Sequence, residues 1–535
     1  MSKKRYCVWV LAACLLGSAA CKKLELGPSY QDTDLTFWNN PEAAAKALNN
    51  CYAGMYSDEY YFFNESLSDN ALCSSSVNGG GARSIAEGAY DGRTNRVAGE
   101  WSYHFGGIRN CNNLLNNIDK VPGLDEGLKN RYIAEARFIR AFHYFQLMTW
   151  YGDVPLIENE ISYEESFAIG RTPRAEILNY ILQELDAVAA VLPLKQEYSE
   201  ADKGRITRGA AAAVKAKVLL YESRWDEVAA ICEQFMNGNV YGAYSLFPDY
   251  AGIFEPENEN NSEVILDMQF VPVYRTHAMQ RFFIPYTEGT LITGMAPSQE
   301  LVDDYVMANG KGIREAGSGY NESTPFQHRD PRLEATIIHD GSSFVTKKGD
   351  TVTIRTAPGT GDNAVDKSDA SHTGYYFRKY YDRTADGNNN SGLNLVLVRY
   401  TDILLMYAEA KTMLGQMDAA VWDKTIQAIR QRAGFTDPAA LNFTNYANLG
   451  TTGMMNLVRR ERRCEFALES QRVFDIRRWR IAETVMNGIL HGMKVGNSYL
   501  EADTRVFNPG KHYLWPVPQA DIDMNKNLLP NNPGW

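Results

Sequence analysis

The sequence lacks the short motifs that mark common catalytic and nucleotide-binding sites. It contains no G-x-S-x-G nucleophile elbow, no H-E-x-x-H metal pair and no G-x-x-x-x-G-K-[ST] phosphate loop. Its eight histidines are dispersed, and none follows another at the spacing that metal ligands use. Paired carboxylates for glycoside hydrolysis leave no motif, because any two acids can converge in the fold. The sequence therefore favours a protein that is not an enzyme and needs no cofactor.

A surplus of positive charge is also missing. The 535 residues include 54 Lys and Arg against 65 Asp and Glu, which gives a formal net charge of -11. Binding to a phosphate backbone depends on dense positive charge, so we expect no nucleic-acid partner. The local exception is Arg459–Arg480, RRERRCEFALESQRVFDIRRWR, with eight arginines and four acids. We call this stretch the arginine-rich segment.

The arginine-rich segment has two possible roles, a polyanion site or a structural clamp. A helix that begins near Met454 and continues through residues 459–466 would place arginines and acids three or four positions apart. The predicted pairs are Glu465 with Arg462, and Asp475 with Arg472 and Arg478. Aromatic and aliphatic residues alternate with these charges and favour burial, and guanidiniums pair with carboxylates and stack on rings. We interpret the segment as structural.

Cysteine is sparse and widely spaced. Beyond the first 21 residues, the cysteines are Cys51, Cys73, Cys111, Cys232 and Cys464. Their spacing forms no disulfide framework, and a chain of this length can bury a core without one. We expect buried thiols with at least one free cysteine, and one disulfide among the five is the alternative.

The N-terminus has the layout of an export signal. Lys3, Lys4 and Arg5 precede a short apolar run that is too short to span a membrane, and small residues follow it. Cys21 comes directly after Ala19 and Ala20, which indicates a lipoprotein signal over residues 1–20 with Cys21 acylated. Cleavage before Cys14 and ordinary secretion with an unmodified Cys21 are the alternatives. In each case the protein leaves the cytoplasm.

Helical periodicity dominates both ends of the remaining chain. Residues 131–152 and 171–193 each carry an apolar stripe, and Gly152 and Pro193 follow as terminators. Residues 208–238 read as two helices joined by a tight turn, and residues 399–434 repeat that plan. Small residues in the first helix, a short turn and a partner helix are typical of tetratricopeptide pairs. We therefore predict a mostly α fold built on such pairs.

Two stretches carry loop composition instead. Residues 241–394 are rich in Gly, Asn, Asp and Ser, with short alternating runs such as Thr351–Arg355 that predict a few strands. Residues 73–100 form the second stretch, and loops this long are usually functional or disordered. Asp382–Asn390 offers oxygen ligands without the spacing of a calcium loop, so a solvated turn is favoured and calcium binding stays open.

Several pieces of the chain, in order, resemble one known family. They are CKKLELGPSYQDTDLTFWNNPEAAAKALNNCYAGMY, SDNALCSSS, WSYHFGGIRNCNNLLNNI, AEARFIRAFHYFQLMTWYGDVPL, APSQELVDDYV, VLVRYTDILLMYAEAK, the arginine-rich segment and YLWPVPQADIDMNKNLLPNNPGW. Together they resemble the SusD/RagB family of outer-membrane lipoproteins over essentially the whole mature length. The resemblance implies a surface-exposed, lipid-anchored protein of the outer membrane that captures oligosaccharide or polysaccharide. It also implies delivery to a SusC-like TonB-dependent transporter, without catalysis.

The resemblance implies a division of the chain and a region for the ligand. We expect a signal peptide over 1–20, a SusD-like helical region over 21–240 and a C-terminal region over 241–535, the last two packed as one unit. Sugar binding uses aromatic faces and directed hydrogen bonds. The predicted ligand-binding residues are Arg83, Tyr90, Asn95, Trp101, Tyr274 and Tyr286. Loop context favours an exposed Tyr90, whereas Trp101 is equally consistent with core or binding platform.

Two other functions remain alternatives. A tetratricopeptide scaffold would bind a protein partner through its helix pairs and leave the loops without a ligand. A lipid-anchored glycoside hydrolase would use two convergent carboxylates and release reducing ends from its polymer. Neither the identity of the glycan nor that of another nutrient follows from the sequence.

Overall fold

The fold is mostly helical, as predicted. A computed structural model describes residues 37–238, 240–289, 292–363 and 369–535. The predicted signal peptide and both lipidation candidates, Cys14 and Cys21, lie outside these residues. Across the described ranges, no helix combines the length and the apolar character needed to cross a membrane.

The N-terminal half is a series of helices joined by short connections. In chain order these are α1 (Pro41–Ala53), α2 (Asp58–Phe63), α3 (Ala82–Ala86), α4 (Asn95–Asn117), α5 (Glu126–Tyr151), α6 (Tyr163–Ser166), α7 (Arg174–Ala189), α8 (Arg208–Tyr221) and α9 (Trp225–Asn237). Asp125 caps α5 by accepting a hydrogen bond from the Leu128 amide at 2.9 Å. Gly152 ends α5 with φ of 71°, a left-handed value that glycine adopts without steric cost.

The second half carries shorter helices and one further long pair. These are α10 (Gln299–Asp304), α11 (Arg332–Thr336), α12 (Tyr400–Met413), α13 (Ala419–Trp422), α14 (Ala428–Ala433), α15 (Pro438–Leu441), α16 (Gly450–Glu465), α17 (Arg472–Arg478), α18 (Ala482–Val485) and α19 (Gln519–Met524). A π-helical turn joins α13 to α14. The two predicted helix pairs, α8 with α9 and α12 with α13–α14, are both present, and α9 packs on α12.

The strands form small antiparallel pairs rather than one sheet. They are β1 (Ala71–Cys73), β2 (Val264–Met268), β3 (Met295–Pro297), β4 (Ile337–Ile338), β5 (Ser343–Val345), β6 (Thr351–Thr353), β7 (Tyr376–Phe377), β8 (Leu395–Arg399), β9 (Gly488–Val495) and β10 (Ser498–Arg505). The pairs are β1 with β3, β2 with β8, β4 with β7, β5 with β6 and β9 with β10. The predicted strand at residues 351–355 is therefore present as β6. The strands β9 and β10, of eight residues each, form an antiparallel ribbon that was not predicted.

One hydrophobic core runs through both halves of the described chain. It joins residues of α1, α4 and α5 to residues of β8 and to Trp515 and Leu528 near the C-terminus. Trp150 at the end of α5 stacks on Trp515, with ring centroids 4.0 Å apart. The C-terminal segment is therefore part of the core rather than a tail.

The arginine-rich segment lies inside the fold, but two of its predicted ion pairs are wrong. Asp475 does pair with Arg478, at 2.7 Å, whereas its second partner is Arg462 at 3.1 Å. Arg472 instead makes a bidentate contact with Asp69, at 2.8 Å for each oxygen. Glu465 pairs with arginines from other segments rather than with Arg462. The local spacing made other pairs possible, but carboxylates from distant segments compete for the same guanidiniums.

Glu465 belongs to a buried network of opposite charges. It accepts hydrogen bonds from Arg332 and Arg399, each at 2.8 Å, and from Arg432. Arg399 also bonds Glu263 and Glu469. Burial alone would raise the pKa of Glu465, but the surrounding guanidiniums outweigh it and hold that pKa far below its usual range. The network ties α16 to β8 and α11.

All five described cysteines are buried and free. Burial raises the pKa of the Cys232 thiol and of the Cys464 thiol well above the ordinary value. Thiols of this kind are packing groups rather than nucleophiles. The disulfide that the sequence left open is therefore absent among the described residues.

Candidate functional site

A cleft between α10, the loop at residues 320–329 and the turn of the β9–β10 ribbon combines aromatic rings with polar groups. We call it the aromatic cleft; its cavity has a volume of about 220 Å³. Its lining residues are Gln299, Val302, Tyr320, Glu322, Pro325, Phe326, Arg329, Asp340, Tyr375, Met493, Lys494, Gly496 and Tyr499. The four rings come from three separate parts of the chain, so the cleft exists only in the folded protein.

The β9–β10 ribbon presents Tyr499 at the rim of the cleft. Tyr499 pairs across the ribbon with Lys494, next to the tight turn at Gly496, and is 36% exposed. The His491 ring lies at 6.0 Å from the Tyr499 ring, edge to face. His491 in turn contacts Glu300 of α10, with Nδ1 at 2.6 Å from Oε1 and its backbone N–H donating at 3.1 Å. Glu300 therefore fixes the ribbon, and with it Tyr499, against α10.

Tyr320 forms the opposite wall and lies over a buried arginine. The guanidinium carbon of Arg329 lies 5.7 Å from the Tyr320 ring centroid. All three nitrogens of Arg329 donate to backbone carbonyls: Nε to Tyr305 at 3.1 Å, Nη1 to Pro325 at 2.7 Å and Nη2 to Val302 at 2.6 Å. Burial lowers the pKa of Arg329 from its ordinary value. Arg329 therefore fastens the loop to the end of α10.

The floor of the cleft is held by ring stacking and one buried hydrogen bond. The Phe326 and His339 rings are stacked, with centroids 3.5 Å apart and an interplanar angle of 8°. Tyr375 lies edge-on to Phe326 at 6.4 Å, and its hydroxyl donates to Gln299 Oε1 at 2.6 Å. These contacts fix the side chains before a ligand arrives, which lowers the entropy lost on binding.

The two rim tyrosines offer neutral hydroxyl groups. Burial raises the pKa of Tyr320 and that of Tyr499 above their ordinary values, so both phenols stay protonated at neutral pH. A protonated phenol both donates and accepts a hydrogen bond, and its ring provides a flat apolar face. Within the described ranges, no group of three or more His, Cys, Asp or Glu could hold a metal ion. The geometry suits a ligand with apolar C–H faces and a rim of hydroxyls.

The predicted residues of the 73–100 stretch lie apart from this cleft. Arg83 is partly exposed and donates to Glu87 at 2.7 Å, to the Cys73 carbonyl at 3.0 Å and to Asp503 at 3.2 Å. Tyr90 is 6% exposed, so the prediction that it is exposed is wrong. Trp535 of the C-terminal segment covers it, with ring centroids 4.9 Å apart. Its ring offers no open face to a sugar.

Asn95 and Trp101 lie on α4. Asn95 is exposed at the first residue of the helix. Trp101 is 4% exposed and belongs to the core, where its ring packs edge to face on Tyr151 at 5.0 Å. Trp101 also reaches a separate groove of about 330 Å³ with mainly apolar walls, between α4 and α19. Of the two roles open to Trp101, the structure supports the core role.

Tyr274 and Tyr286 lie in two different environments. Tyr274 is 90% exposed at the turn of a small hairpin, in which the Val271 and Arg275 backbones exchange hydrogen bonds of 2.8 and 2.9 Å. Tyr286 is half-buried at the start of a short helical turn that ends at Glu288. Neither lines the aromatic cleft. Their predicted ligand contacts therefore remain predictions about other parts of the surface.

Sequence reasoning missed Tyr320, Phe326 and Tyr499. A signal for Tyr320 is its position in the turn-rich run AGSGYNEST, where an aromatic residue has no strand or helix to pack within. A signal for Tyr499 is Gly496-Asn497 between two runs of alternating residues, which predicts a tight hairpin. Neither signal shows that the two residues face the same cavity.

A cavity of about 40 Å³ in the core has more aromatic rings in its lining, but it is too small for a sugar ring. Three grooves larger than the aromatic cleft hold fewer rings than it does, and the groove at Trp101 has three. A groove of about 400 Å³ between the 309–315 loop and α16 has Tyr446 as its one aromatic residue. A groove of about 470 Å³ between α1 and α4 has Phe37 as its one aromatic residue. The aromatic cleft is therefore the best-supported site for a ligand with flat apolar faces.

Comparisons with known proteins agree on one family. The sequence profile described as SusD family matches residues 262–535. A second profile, described as starch-binding associating with outer membrane, matches residues 27–220. The SusD-like protein P2 of Formosa agariphila is 24% identical over an alignment of 547 positions that covers 100% of both chains.

Solved structures from Bacteroides fragilis show the same fold. A SusD-like carbohydrate-binding protein superimposes with a TM-score of 0.82 and 27% identity, covering 92% of this chain and 100% of that chain. A second SusD-like protein superimposes with a TM-score of 0.81 and 27% identity, covering 94% of this chain and 99% of that chain.

Proposed function

The chain belongs to the SusD family, and on that premise we propose that it binds an oligosaccharide or polysaccharide in the aromatic cleft. The observation that carries this proposal is the pairing of Tyr320 and Tyr499 at the rim of one cavity, above a rigid floor. Stacking of a tyrosine ring on a sugar face stabilises a complex by about 1–2 kcal/mol per ring. The name of the similar carbohydrate-binding protein and the starch-binding profile support the same ligand class.

We further propose that the protein works at the cell surface with a transporter. In this proposal residues 1–20 are removed, Cys21 carries the lipid anchor in the outer membrane, and regions 21–240 and 241–535 act as one unit. The captured glycan passes to a SusC-like TonB-dependent transporter, and the protein itself performs no catalysis. The second profile, whose description names association with the outer membrane, supports the location.

The remaining predicted residues extend this proposal. Arg83, Asn95, Tyr274 and Tyr286 are proposed as contacts for parts of a long glycan outside the aromatic cleft. Tyr274 has the strongest support of these, because its ring is 90% exposed. Tyr90 and Trp101 are left out of the proposed contacts, because their rings are buried.

Affinity electrophoresis tests glycan binding directly. The mature chain is run through gels that contain single polysaccharides, and the retarded band identifies a ligand. We expect Tyr499→Ala and Tyr320→Ala to lose most of the retardation, while their melting temperatures stay within a few degrees of wild type. Tyr163→Ala is the matched control, because Tyr163 is 74% exposed and lies outside the aromatic cleft.

The alternatives predict different results. A protein-binding scaffold would migrate unchanged in every polysaccharide gel yet still co-purify with its partner. A hydrolase would release reducing ends from the polymer that retards it. Co-purification of the transporter with the wild-type chain, analysed after mild detergent extraction, checks the delivery step separately from sugar binding.

A further inference from the structure

The charged side chains that line the aromatic cleft already have partners. Glu322 of the loop and Lys494 of the ribbon form an ion pair across the cleft, with 2.6 Å between Lys494 Nζ and Glu322 Oε1. Asp340 Oδ1 accepts two backbone N–H groups, from Thr356 at 2.9 Å and from Ala357 at 3.2 Å. The lining therefore holds two acids and two bases, and both acids are satisfied.

The second base, Arg329, is not free to bind an anion. Its three nitrogens donate to backbone carbonyls, and the side chain is buried with the residue 7% exposed. A bidentate contact to a carboxylate or sulfate would require breaking those hydrogen bonds and would leave buried carbonyls without donors. Lys494 could contact an anion only beside the Glu322 carboxylate, which neutralises its charge and would repel the anion.

Neutral polar groups are open in the same place. Tyr320 and Tyr499 both lie at the cleft rim. Among the described residues, their hydroxyl groups have no hydrogen-bond partner. Each can donate to and accept from a sugar hydroxyl without a change in charge. The cleft thus provides free hydrogen-bonding capacity for neutral ligands and none of the free positive charge that an acidic ligand needs.

We propose that the aromatic cleft is selective for neutral glycans and excludes sulfated polymers and polymers of uronic acids. The inference rests on the proposed function of the same cleft. It also predicts that binding is nearly independent of salt, because no ion pair forms with the ligand.

The test compares two sets of gels with the mature chain. The neutral set contains amylopectin, laminarin, xylan and mannan; the anionic set contains polygalacturonate, alginate and carrageenan. We expect retardation in at least one neutral gel and in no anionic gel, with a reference protein correcting for gel charge. Affinity for the retarding glycan, measured by titration, should change by less than about twofold between about 50 and about 500 mM NaCl.

Two variants separate the possible outcomes. Lys494→Gln removes the one base in the lining that could change partner, so it shows whether any retardation in an anionic gel depends on that base. Tyr499→Ala should weaken neutral binding by about tenfold, from the loss of one stacked ring. Retardation in an anionic gel that disappears with Lys494→Gln or with added salt would overturn the selectivity. Retardation of the wild-type chain in gels of both the neutral and the anionic set would also overturn the selectivity. So would unchanged retardation of a variant with both Tyr320 and Tyr499 replaced in a neutral gel, because the binding site would then lie outside the aromatic cleft.

The failure of the proposed function looks different from the failure of this inference. If no gel of either set retards the wild-type chain, glycan binding itself is contradicted and the selectivity falls with it. If only anionic gels retard the chain, glycan binding stands and only the selectivity for neutral ligands is wrong.

Discussion

Single aromatic residues divide into core and surface in ways that loop composition does not reveal. Tyr90 lies in a Gly-rich stretch that indicates exposure, but the last residue of the chain covers its ring. Tyr274 lies in the other loop-rich stretch, residues 241–394, and is almost fully exposed. The difference depends on a segment more than 400 positions away, and no local pattern encodes that contact.

Tyr90→Ala and Tyr274→Ala should therefore behave oppositely. Removing the buried Tyr90 ring leaves a cavity and should lower the free energy of unfolding by about 3–5 kcal/mol. Removing the exposed Tyr274 ring should change it by less than about 0.5 kcal/mol. Urea unfolding of both variants measures the difference. Equal stabilities would contradict the placement of Tyr90 in the core.

Among the elements, the long helices and their pairing follow directly from the sequence. The apolar stripe of α7, for example, is buried at Ile177, Ile181, Leu185 and Val188, as its spacing predicts. The ion pairs of α16 and α17 do not follow in the same way. Spacing along one helix limits which local partners are possible, whereas distant carboxylates such as Asp69 decide which partners are used.

The site was less predictable than the helices for the same reason. Its residues come from α10, from an irregular loop and from a ribbon near the C-terminus. Composition predicts only that loops carry the ligand site. The identity of the loops depends on packing between segments far apart in sequence, which periodicity cannot report.

The contact between Asp69 and α17 provides a test by pH. Burial alone would raise the pKa of Asp69, but Arg463 and Arg472 outweigh it and hold that pKa well below its ordinary value. A carboxyl group with a lowered pKa stabilises the fold above its unfolded pKa of about 4. That contribution is lost as the pH falls through the lower, folded pKa.

Asp69→Asn should remove this part of the pH dependence. At pH near 7 the variant should be less stable than wild type by about 3–5 kcal/mol, because the buried guanidinium of Arg472 loses its carboxylate partner and that of Arg463 keeps only Asp304. Below a pH of about 4 the difference should shrink, because the carboxyl group then takes up a proton in the unfolded chain while the folded protein keeps it ionised down to its lower pKa. Denaturant unfolding across this pH range checks the prediction. If the free energies of unfolding of the two proteins depend on pH in the same way, the charge of Asp69 contributes nothing to stability.

For the whole molecule, the fold and the family agree, and the attachment to the membrane is open to a direct test. Cys21→Ala should release a soluble, folded protein into the culture medium or periplasmic fraction, because two or more acyl chains are needed for firm anchoring. Cys14→Ala is the matched control and should remain in the membrane fraction. Membrane partitioning of Cys21→Ala in a strain without the transporter would show that the anchor lies elsewhere.

The central claim is that the aromatic cleft binds the glycan, and one titration tests it most directly. Isothermal titration would compare the wild-type chain with the double variant Tyr320→Ala/Tyr499→Ala, using an oligosaccharide of the polymer that retards the wild type. The account predicts affinity at least about thirtyfold weaker for the double variant, from about 2–4 kcal/mol of lost stacking, with an unchanged melting temperature. Equal affinity in a folded double variant would contradict the account and place the glycan elsewhere on the protein.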